Sequence, residues 1–197
     1  MSDRTRLIKN DIVNLSPTKF ISKWIIDAVP VIFEEDYTSY LDWRNNLSKK
    51  IGVDPNDIFI SGSASIGFSL NPNNNLKKFN DTSDVDICII SENYFNTAWY
   101  ELRSIKPYHP SMQNSKFKAA IENHRTKYIY WGTIATDRIL PILSFGQKWD
   151  LALKSSTDDK HFGSRDLNFR IYKDNKSFRD YTIISVSKCR QKILEGK

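Results

Sequence analysis

The sequence has few of the residues on which disulfide-rich and zinc-binding proteins depend. Its 197 residues include only two cysteines, Cys88 and Cys189, and three histidines. Two cysteines provide no disulfide framework, and neither residue type has the spacing of a zinc site. We therefore expect free thiols, histidines that are ordinary surface or loop residues, and a reducing, cytoplasmic location.

Long apolar runs are also lacking. No run reaches the roughly 18 residues of a membrane-spanning helix, and the first ten residues, MSDRTRLIKN, lack the apolar stretch of a secretory signal. Hydrophobic residues nevertheless make up 40% of the chain, which is enough for one core at this length. We predict a single domain over residues 1–197 with no membrane partner.

Acidic residues are outnumbered by basic ones, 23 to 29, which gives a net charge of +6. This excess favours encounter with polyanions such as nucleoside triphosphates or nucleic acid. A basic surface that only keeps the protein soluble explains the same numbers. The charge is compatible with a phosphate-rich partner and does not identify one.

Apolar residues at helical spacing predict most of the secondary structure. The predicted helices lie in the segments 16–50, 92–143 (with separate helices at 113–125 and 127–143) and 177–195. Ser16, Ser91 and Ser177 are the expected N-caps of helices in these segments. Residues 145–165 have no clear periodicity, and we predict a loop there.

Three short segments have the composition of strands. Residues 58–60 and 85–90 are β-branched or apolar runs, and residues 166–172 alternate, with Leu167, Phe169 and Ile171 on one face. Strands separated by long helical segments predict an α+β fold.

Two aspartates, Asp84 and Asp86, flank Val85 at the start of the second strand. Residues two apart in a strand point to the same face. Two neighbouring carboxylates repel each other unless a cation lies between them, and hard divalent cations choose oxygen ligands. The pair is a candidate metal site, although Asp-x-Asp is also common in ordinary turns.

A small-residue turn, Gly62-Ser63, follows the first strand and precedes a short predicted helix. Glycine permits another group to approach the backbone, and amides at a helix start, together with the Ser63 hydroxyl, suit phosphate oxygens. Such a turn can hold a triphosphate while the aspartates hold its metal. The alternative is a plain tight turn.

Together these segments resemble the signature of the DNA polymerase beta-like nucleotidyltransferase superfamily. The matching residues are Ile60-Ser61-Gly62-Ser63, Gly67 and Asp84-Val85-Asp86-Ile87. The resemblance is strongest over residues 58–90. It implies a small mixed sheet flanked by helices, and transfer of a nucleoside monophosphate from a triphosphate to a hydroxyl acceptor with release of pyrophosphate.

The resemblance also implies a set of site residues. Asp84 and Asp86 would bind two Mg²⁺ ions, or Mn²⁺ in their place, with a third carboxylate on an adjacent strand. For that carboxylate we choose Asp166. The expected nucleotide-binding residues are Gly62, Ser63, Gly67, Ser83 and Lys77.

Alternatives to Asp166 remain open. Asp137 and Asp150 are other candidates for the third carboxylate, and the position that aligns best with the motif could be Asn168. An asparagine there would put catalytic activity in doubt.

The spacing departs from the family in one respect. Twenty residues separate Ser63 from Asp84, more than the family's usual spacer. The Asn-rich insertion 71–83 is either a substrate-facing loop, with Lys77 and Lys78 near phosphates, or a solvated excursion.

The acceptor distinguishes the members of this superfamily. The motifs look most like those of stand-alone bacterial defence-type enzymes, which implies template-independent synthesis of an oligonucleotide or second messenger in anti-phage defence. Expected partners are a nucleoside triphosphate, an oligonucleotide or nucleic-acid acceptor, and a defence effector. Two alternatives are AMP transfer to a partner protein, as toxin-neutralising antitoxins perform, and a catalytically inactive nucleotide- or nucleic-acid-binding module.

Overall fold

A computed structural model describes residues 3–74, 76–156 and 159–196, which fold around a four-stranded sheet. The α-helices are α1 (Asp3–Asn14), α2 (Pro17–Ile21), α3 (Tyr37–Ile51), α4 (Ser63–Ile66), α5 (Glu92–Ser104), α6 (Ser115–Asn123), α7 (Gly146–Ser156) and α8 (Asn175–Leu194). The strands are β1 (Ile58–Ser61), β2 (Val85–Ile90), β3 (Thr133–Ala135) and β4 (Leu167–Tyr172).

The sheet is mixed and has the order β1-β2-β4-β3. β1 runs antiparallel to β2, β2 runs parallel to β4, and β3 pairs antiparallel with β4 at the sheet edge. The parallel pair is possible because the long segment between β2 and β4 crosses over the sheet. This architecture confirms the predicted α+β class.

One face of the sheet carries only apolar side chains, because successive side chains of a strand point to opposite faces and every residue on this face is aliphatic or aromatic. Helices α3, α5, α6 and α7 cover it with Trp43, Leu47, Ala98, Ile121 and Trp149, among others. We call it the aliphatic face, and its sheet residues are Ile58, Ile60, Val85, Ile87, Ile89, Ile134, Leu167, Phe169 and Ile171.

The opposite face is covered by α1, α2 and α8 over part of its area. Phe59, Cys88 and Tyr172 of the sheet pack there with Phe178 of α8, and the Phe59 and Phe178 rings lie 4.6 Å apart. Both Cys88 and Cys189 are buried, free thiols. We call this side the divided face, because its other part is polar.

The predicted helix at 127–143 is wrong. Helix α6 ends at Asn123, two irregular turns follow, and β3 then lies within the predicted helix. Gly132, with φ of 64°, ends the second turn and redirects the chain into the strand. Residues 133–135 form a strand because they pair with β4, although the apolar residues of this segment have helical spacing.

Two further predictions about helices need correction. The segment 145–165, predicted as a loop, contains α7, which buries Trp149 completely against Tyr94, Phe145 and Phe169. Helix α1 lies outside the predicted segments altogether. It docks on α8 through a narrow stripe that includes Ile8 and Ile12.

Two of the three predicted N-caps are confirmed. The hydroxyls of Ser16 and Ser91 accept hydrogen bonds from the backbone amides of the third residues of α2 and α5. Ser177 is not a cap: its own amide donates to Asp174 Oδ1 at 2.6 Å, so α8 begins nearly one turn earlier. Within the described residues, no helix is both long and apolar enough to cross a membrane.

His124 also departs from expectation, because it is buried at 2% exposure instead of lying on the surface. Its Nδ1 donates to Ala120 O at 2.6 Å, and its Nε2 accepts from the Ala135 amide at 3.0 Å. Burial lowers the pKa of His124. A neutral imidazole therefore ties α6 to the edge strand β3.

Candidate functional site

The polar part of the divided face lies where β1 ends and β2 begins. Ser61 pairs with Asp86 in the β1–β2 register, and Gly62 follows immediately. A Cβ atom on Gly62 would lie 3.2 Å from Asp86 Oδ2. The φ and ψ of Gly62, 67° and −150°, belong to a region that is essentially open only to glycine. The space beside Gly62 that a side chain would fill therefore lies against the Asp86 carboxylate.

Two cavities meet at the aspartate pair. The glycine cavity, of about 390 Å³, is bordered by Gly62, Ser63, Lys77, Lys78, Ser83, Asp84, Asp86 and Arg170, among others. The asparagine cavity, of about 380 Å³, is bordered by Asp84, Asp86, Asn123, His124, Tyr128, Asp137, Arg138, Asn168 and Arg170, among others. Both volumes are in the range of small-molecule sites.

Asn168 occupies the strand position beside Asp86. The parallel register of β2 and β4 pairs these two residues, so that Ser61, Asp86 and Asn168 form one row across the sheet. Residues paired in register point to the same face. An amide, not a carboxylate, therefore neighbours Asp86 on β4.

Asp166, chosen from the sequence as the third carboxylate, does not join the pair. Its carbonyl accepts a hydrogen bond from the Val85 amide at 2.9 Å, which places its backbone beside the start of β2. Its side chain is exposed and borders neither cavity. The register instead places Asn168, the alternative that the sequence had left open, beside Asp86.

Asp137 is the further carboxylate that acts on Asp86. It follows the edge strand β3, is exposed, and borders the asparagine cavity together with both aspartates. Burial raises the pKa of Asp86; Arg170 opposes this effect, and the charges of Asp84 and Asp137 reinforce it. Asp150, the remaining candidate, borders neither of these cavities.

The electrostatics of Asp86 favour a bound cation. Burial and charge account for its pKa shift, with no contribution from a hydrogen bond. A carboxylate that loses hydration without gaining donors is costly to ionise unless a cation compensates it. Oxygen ligands of this kind suit Mg²⁺ or Mn²⁺.

The ligand set is small for two cations. Among the described residues, no group of three or more His, Cys, Asp or Glu side chains is arranged to hold a metal ion. The carboxylate and amide groups on the β2–β4 side of the asparagine cavity are those of Asp84, Asp86 and Asn168, while Asp137 borders the cavity from beyond the end of β3. This set fits one hard divalent cation better than two.

The insertion before Asp84 is anchored to the sheet. Arg165, just before β4, donates to Asp81 Oδ1 at 2.6 Å and to the Asn80 carbonyl at 3.3 Å, and its guanidinium lies 5.0 Å from the centre of the Phe79 ring. Arg165 thereby fixes the chain just before Asp84.

The return of the insertion presents its lysines at the glycine cavity. Phe68 and Lys78 form an isolated antiparallel bridge, and the Ser69 amide donates to the Lys77 carbonyl at 2.9 Å. Lys77 and Lys78 are both exposed and both border the cavity. The positions of Lys77 and Lys78 at the cavity favour a substrate-facing loop over a solvated excursion. Asn75, within it, lies outside the described residues.

Ser83 borders the glycine cavity, but its hydroxyl is used within the turn. Ser83 Oγ donates to Asn80 Oδ1 at 3.2 Å and accepts from the Asn80 amide at 3.1 Å. A serine hydroxyl has one proton to donate. Ser83 therefore shapes the entry to Asp84 more than it offers a donor to phosphate.

Gly67 lies away from the aspartates, at the far end of the one-turn helix α4. Its φ of 86° closes that helix, and a Cβ there would contact Val31 at 3.7 Å. The carbonyl of Gly67 accepts from the Phe79 amide at 3.0 Å. Its place is that of a turn former, and it does not border the glycine cavity.

Arg170 is the site residue that the sequence reasoning did not single out. It borders both cavities from β4, two residues beyond Asn168. An arginine in the interior of a short alternating strand was the available signal, because charged groups are rarely buried without a partner.

Comparison with known proteins identifies no relative of this chain. The chain matches none of the protein-family models, curated proteins or solved structures with which it was compared. The residues and the geometry of the site are therefore the only indications of its function.

Proposed function

We propose that this protein is a metal-dependent nucleotidyltransferase with a polymerase beta-like core. It would transfer a nucleoside monophosphate from a triphosphate to a hydroxyl acceptor and release pyrophosphate. One observation carries the proposal: the Gly62-Ser63 turn and the Asp84–Asp86 pair, 20 residues apart in sequence, border one cavity, and a Cβ on Gly62 would lie 3.2 Å from Asp86 Oδ2.

Asp84 and Asp86, with the Asn168 amide oxygen, are the residues that would hold Mg²⁺ or Mn²⁺. When bound, the cation neutralises phosphate charge and lowers the pKa of the attacking hydroxyl. Gly62 leaves room for the triphosphate beside the carboxylates, and Lys77 and Lys78 compensate its outer charge. Phosphoryl transfer depends mainly on such positioning and charge compensation.

The two cavities suit two substrates on opposite sides of the aspartates. The triphosphate would occupy the glycine cavity, and the acceptor hydroxyl would reach the aspartates from the asparagine cavity. Asp137 is the exposed carboxylate on that side and could accept the proton of the hydroxyl. A cavity of about 380 Å³ fits a nucleotide-sized acceptor. This size supports synthesis of a short oligonucleotide or second messenger, which we propose as the product in anti-phage defence.

A second candidate function, an inactive nucleotide-binding module, is favoured by the amide at position 168. The row across the sheet holds one carboxylate and one amide where the resemblance implies two carboxylates. A protein of this kind would bind a triphosphate without turning it over.

The deciding experiment incubates purified protein with each labelled triphosphate and Mg²⁺ or Mn²⁺, and resolves the products by mass. We expect metal-dependent products from wild type, and none from Asp86→Asn. Asp166→Asn is the matched control, since it removes an exposed carboxylate that borders neither cavity. We expect it to retain activity.

Three results would contradict or redirect the proposal. Equal turnover by wild type and Asp86→Asn would remove the mechanism. Triphosphate binding without turnover under any metal would favour the inactive module. Label that appears only on an added partner protein would favour AMP transfer of the antitoxin type.

A further inference from the structure

Arg170 is held in one orientation at the junction of the two cavities. Its guanidinium lies 5.5 Å from the centre of the Tyr181 ring and 5.8 Å from that of Tyr128, so the two rings fix it from α8 and from the turns after α6. Its Nη1 also donates to the Tyr181 hydroxyl at 3.3 Å. The aromatic contacts favour a cation at this position.

Among the described residues, no carboxylate forms a hydrogen-bonded ion pair with the Arg170 guanidinium. The Asp86 carboxylate interacts with the guanidinium electrostatically, without a hydrogen bond between them. An arginine has five N–H donors, and the bond to Tyr181 uses one of them. The remaining nitrogens are not sealed from solvent, and the residue borders both cavities. A largely buried guanidinium with open donors is suited to an incoming anion.

Arg170 shares its position between the cavities with the two aspartates. Among the described residues, Asp84, Asp86 and Arg170 are those that border both the glycine cavity and the asparagine cavity. We call these three residues the partition. Any group that passes from a substrate in one cavity to a substrate in the other must cross it.

The charge of the partition limits how many cations it can hold. Two carboxylates and one guanidinium sum to one negative charge, and the neighbouring row position adds only the neutral Asn168. The exposed carboxylate of Asp137 lies outside the partition, because of the two cavities it borders only the asparagine cavity. One divalent cation makes the partition positive and able to bind phosphate. A second divalent cation would raise the net charge of the partition to +3, and like charges this close repel.

We propose that Arg170 binds a phosphate group at the partition and supplies the positive charge that a second divalent cation would otherwise bring. This inference rests on the proposed function for the identity of its ligand, a polyphosphate. A planar guanidinium can bind two phosphate oxygens at once, which orients the group as well as neutralising it. The site would then consist of one cation on the aspartates and one guanidinium on the other side of the phosphate.

The test uses the full chain, with Mn²⁺ and tripolyphosphate as separate probes. Free Mn²⁺ is followed by electron paramagnetic resonance, and tripolyphosphate binding in the presence of Mn²⁺ is followed by calorimetry. We expect one Mn²⁺ per chain. Arg170→Gln should bind Mn²⁺ at least as tightly as wild type, because a neighbouring positive charge is removed, and should bind tripolyphosphate at least tenfold more weakly.

Two variants control for charge and for fold. Arg138→Gln removes an exposed cation that borders only the asparagine cavity, and we expect less than a threefold change in tripolyphosphate affinity. Arg170→Lys keeps the charge and should recover part of the affinity that Arg170→Gln loses. If Arg170→Gln unfolds, the ¹⁵N resonance of the Arg170 Nε–H in wild type, with Mg²⁺ as the cation, should still shift on tripolyphosphate addition.

The outcomes separate this inference from the proposed function. Two Mn²⁺ per chain, or unchanged tripolyphosphate affinity in Arg170→Gln, would overturn the role of Arg170 while leaving triphosphate turnover intact. Tripolyphosphate binding that depends on Arg170, with no turnover of any triphosphate, would support the inference and refute the transferase.

Discussion

The two faces of the sheet differ in what their residues do, although the same strands build both. The aliphatic face is closed by α3, α5, α6 and α7, and its central residue Ile87 has no exposed surface. The divided face places Asp86, the preceding residue, at the meeting point of two cavities. Because successive side chains point to opposite faces, a strand can stabilise the fold and carry chemistry within two consecutive residues.

The divided face changes from covered and mainly apolar to open and polar between two neighbouring rows of the sheet. The row that contains Phe59 and Cys88 is covered by α8, whereas the next row, with Ser61 and Asp86, is open. Arg170 lies in the covered row beside Cys88, and its side chain reaches the cavities. The boundary between core and site therefore passes between residues 86 and 88.

The largest expected difference between the faces is in stability. Ile87→Ala removes a fully buried side chain from the aliphatic face and should lower the free energy of unfolding by about 2–5 kcal/mol. Asp86→Ala, one residue away, should leave that free energy nearly unchanged or increase it, because a desolvated carboxylate is lost. Urea denaturation of both variants measures the contrast, and equal destabilisation would refute the division of roles.

Gly62→Ala should have the next largest effect. An alanine there must adopt a conformation that costs about 1–3 kcal/mol, and its Cβ would lie 3.2 Å from Asp86 Oδ2. We expect a lower melting temperature and a loss of Mn²⁺ binding of tenfold or more. Gly67→Ala is the matched control: its φ of 86° is also positive, but its Cβ would contact only Val31. It should lose stability and keep Mn²⁺ affinity, and an equal loss of affinity in both would count against the geometry.

The local patterns were sufficient to predict the central strands, whereas the meeting of the two motifs was expected from the family resemblance. β1 and β2 are short runs of β-branched and aromatic residues bounded by polar turns, and such runs form strands in most contexts. Once both are strands joined by one insertion, antiparallel pairing brings the end of β1 to the start of β2. The closeness of Gly62 to Asp86 follows from that pairing.

Register and edge pairing could not be predicted in the same way. Alternation places Asp166 and Asn168 on the same face, but only long-range pairing with β2 decides which of them lies beside Asp86. Likewise, β3 is a strand because β4 offers an unpaired edge, and α7 is a helix because Trp149 fills the core against Phe169. These are tertiary effects that a single segment does not contain.

Asn168→Asp should produce an intermediate effect, by adding the carboxylate that the row lacks. Without metal, three neighbouring carboxylates repel, and the variant should be less stable than wild type by on the order of 1 kcal/mol. With Mn²⁺ it should bind about tenfold more tightly, and a second ion should appear in the titration. Asp166→Asn, outside both cavities, should change neither property. An unchanged Mn²⁺ stoichiometry and affinity in Asn168→Asp would show that residue 168 does not face the cation.

The smallest expected effect is on the pH dependence of stability in the absence of metal. Burial raises the pKa of Asp86, so the folded state holds this proton more tightly than the unfolded state. The resulting stabilisation is complete below the unfolded pKa of about 4, and it is lost as the pH rises through the higher folded pKa. Metal-free wild type should therefore be less stable than Asp86→Asn at pH 7, and the difference should shrink toward pH 4. Saturating Mn²⁺ should reverse the order at pH 7, because a ligand at 100 times its dissociation constant adds about 2.7 kcal/mol to the wild type alone. Thermal unfolding over this pH range, with and without Mn²⁺, measures both differences. If Mn²⁺ does not stabilise the wild type at pH 7, Asp86 does not bind a cation, even though its pKa is raised.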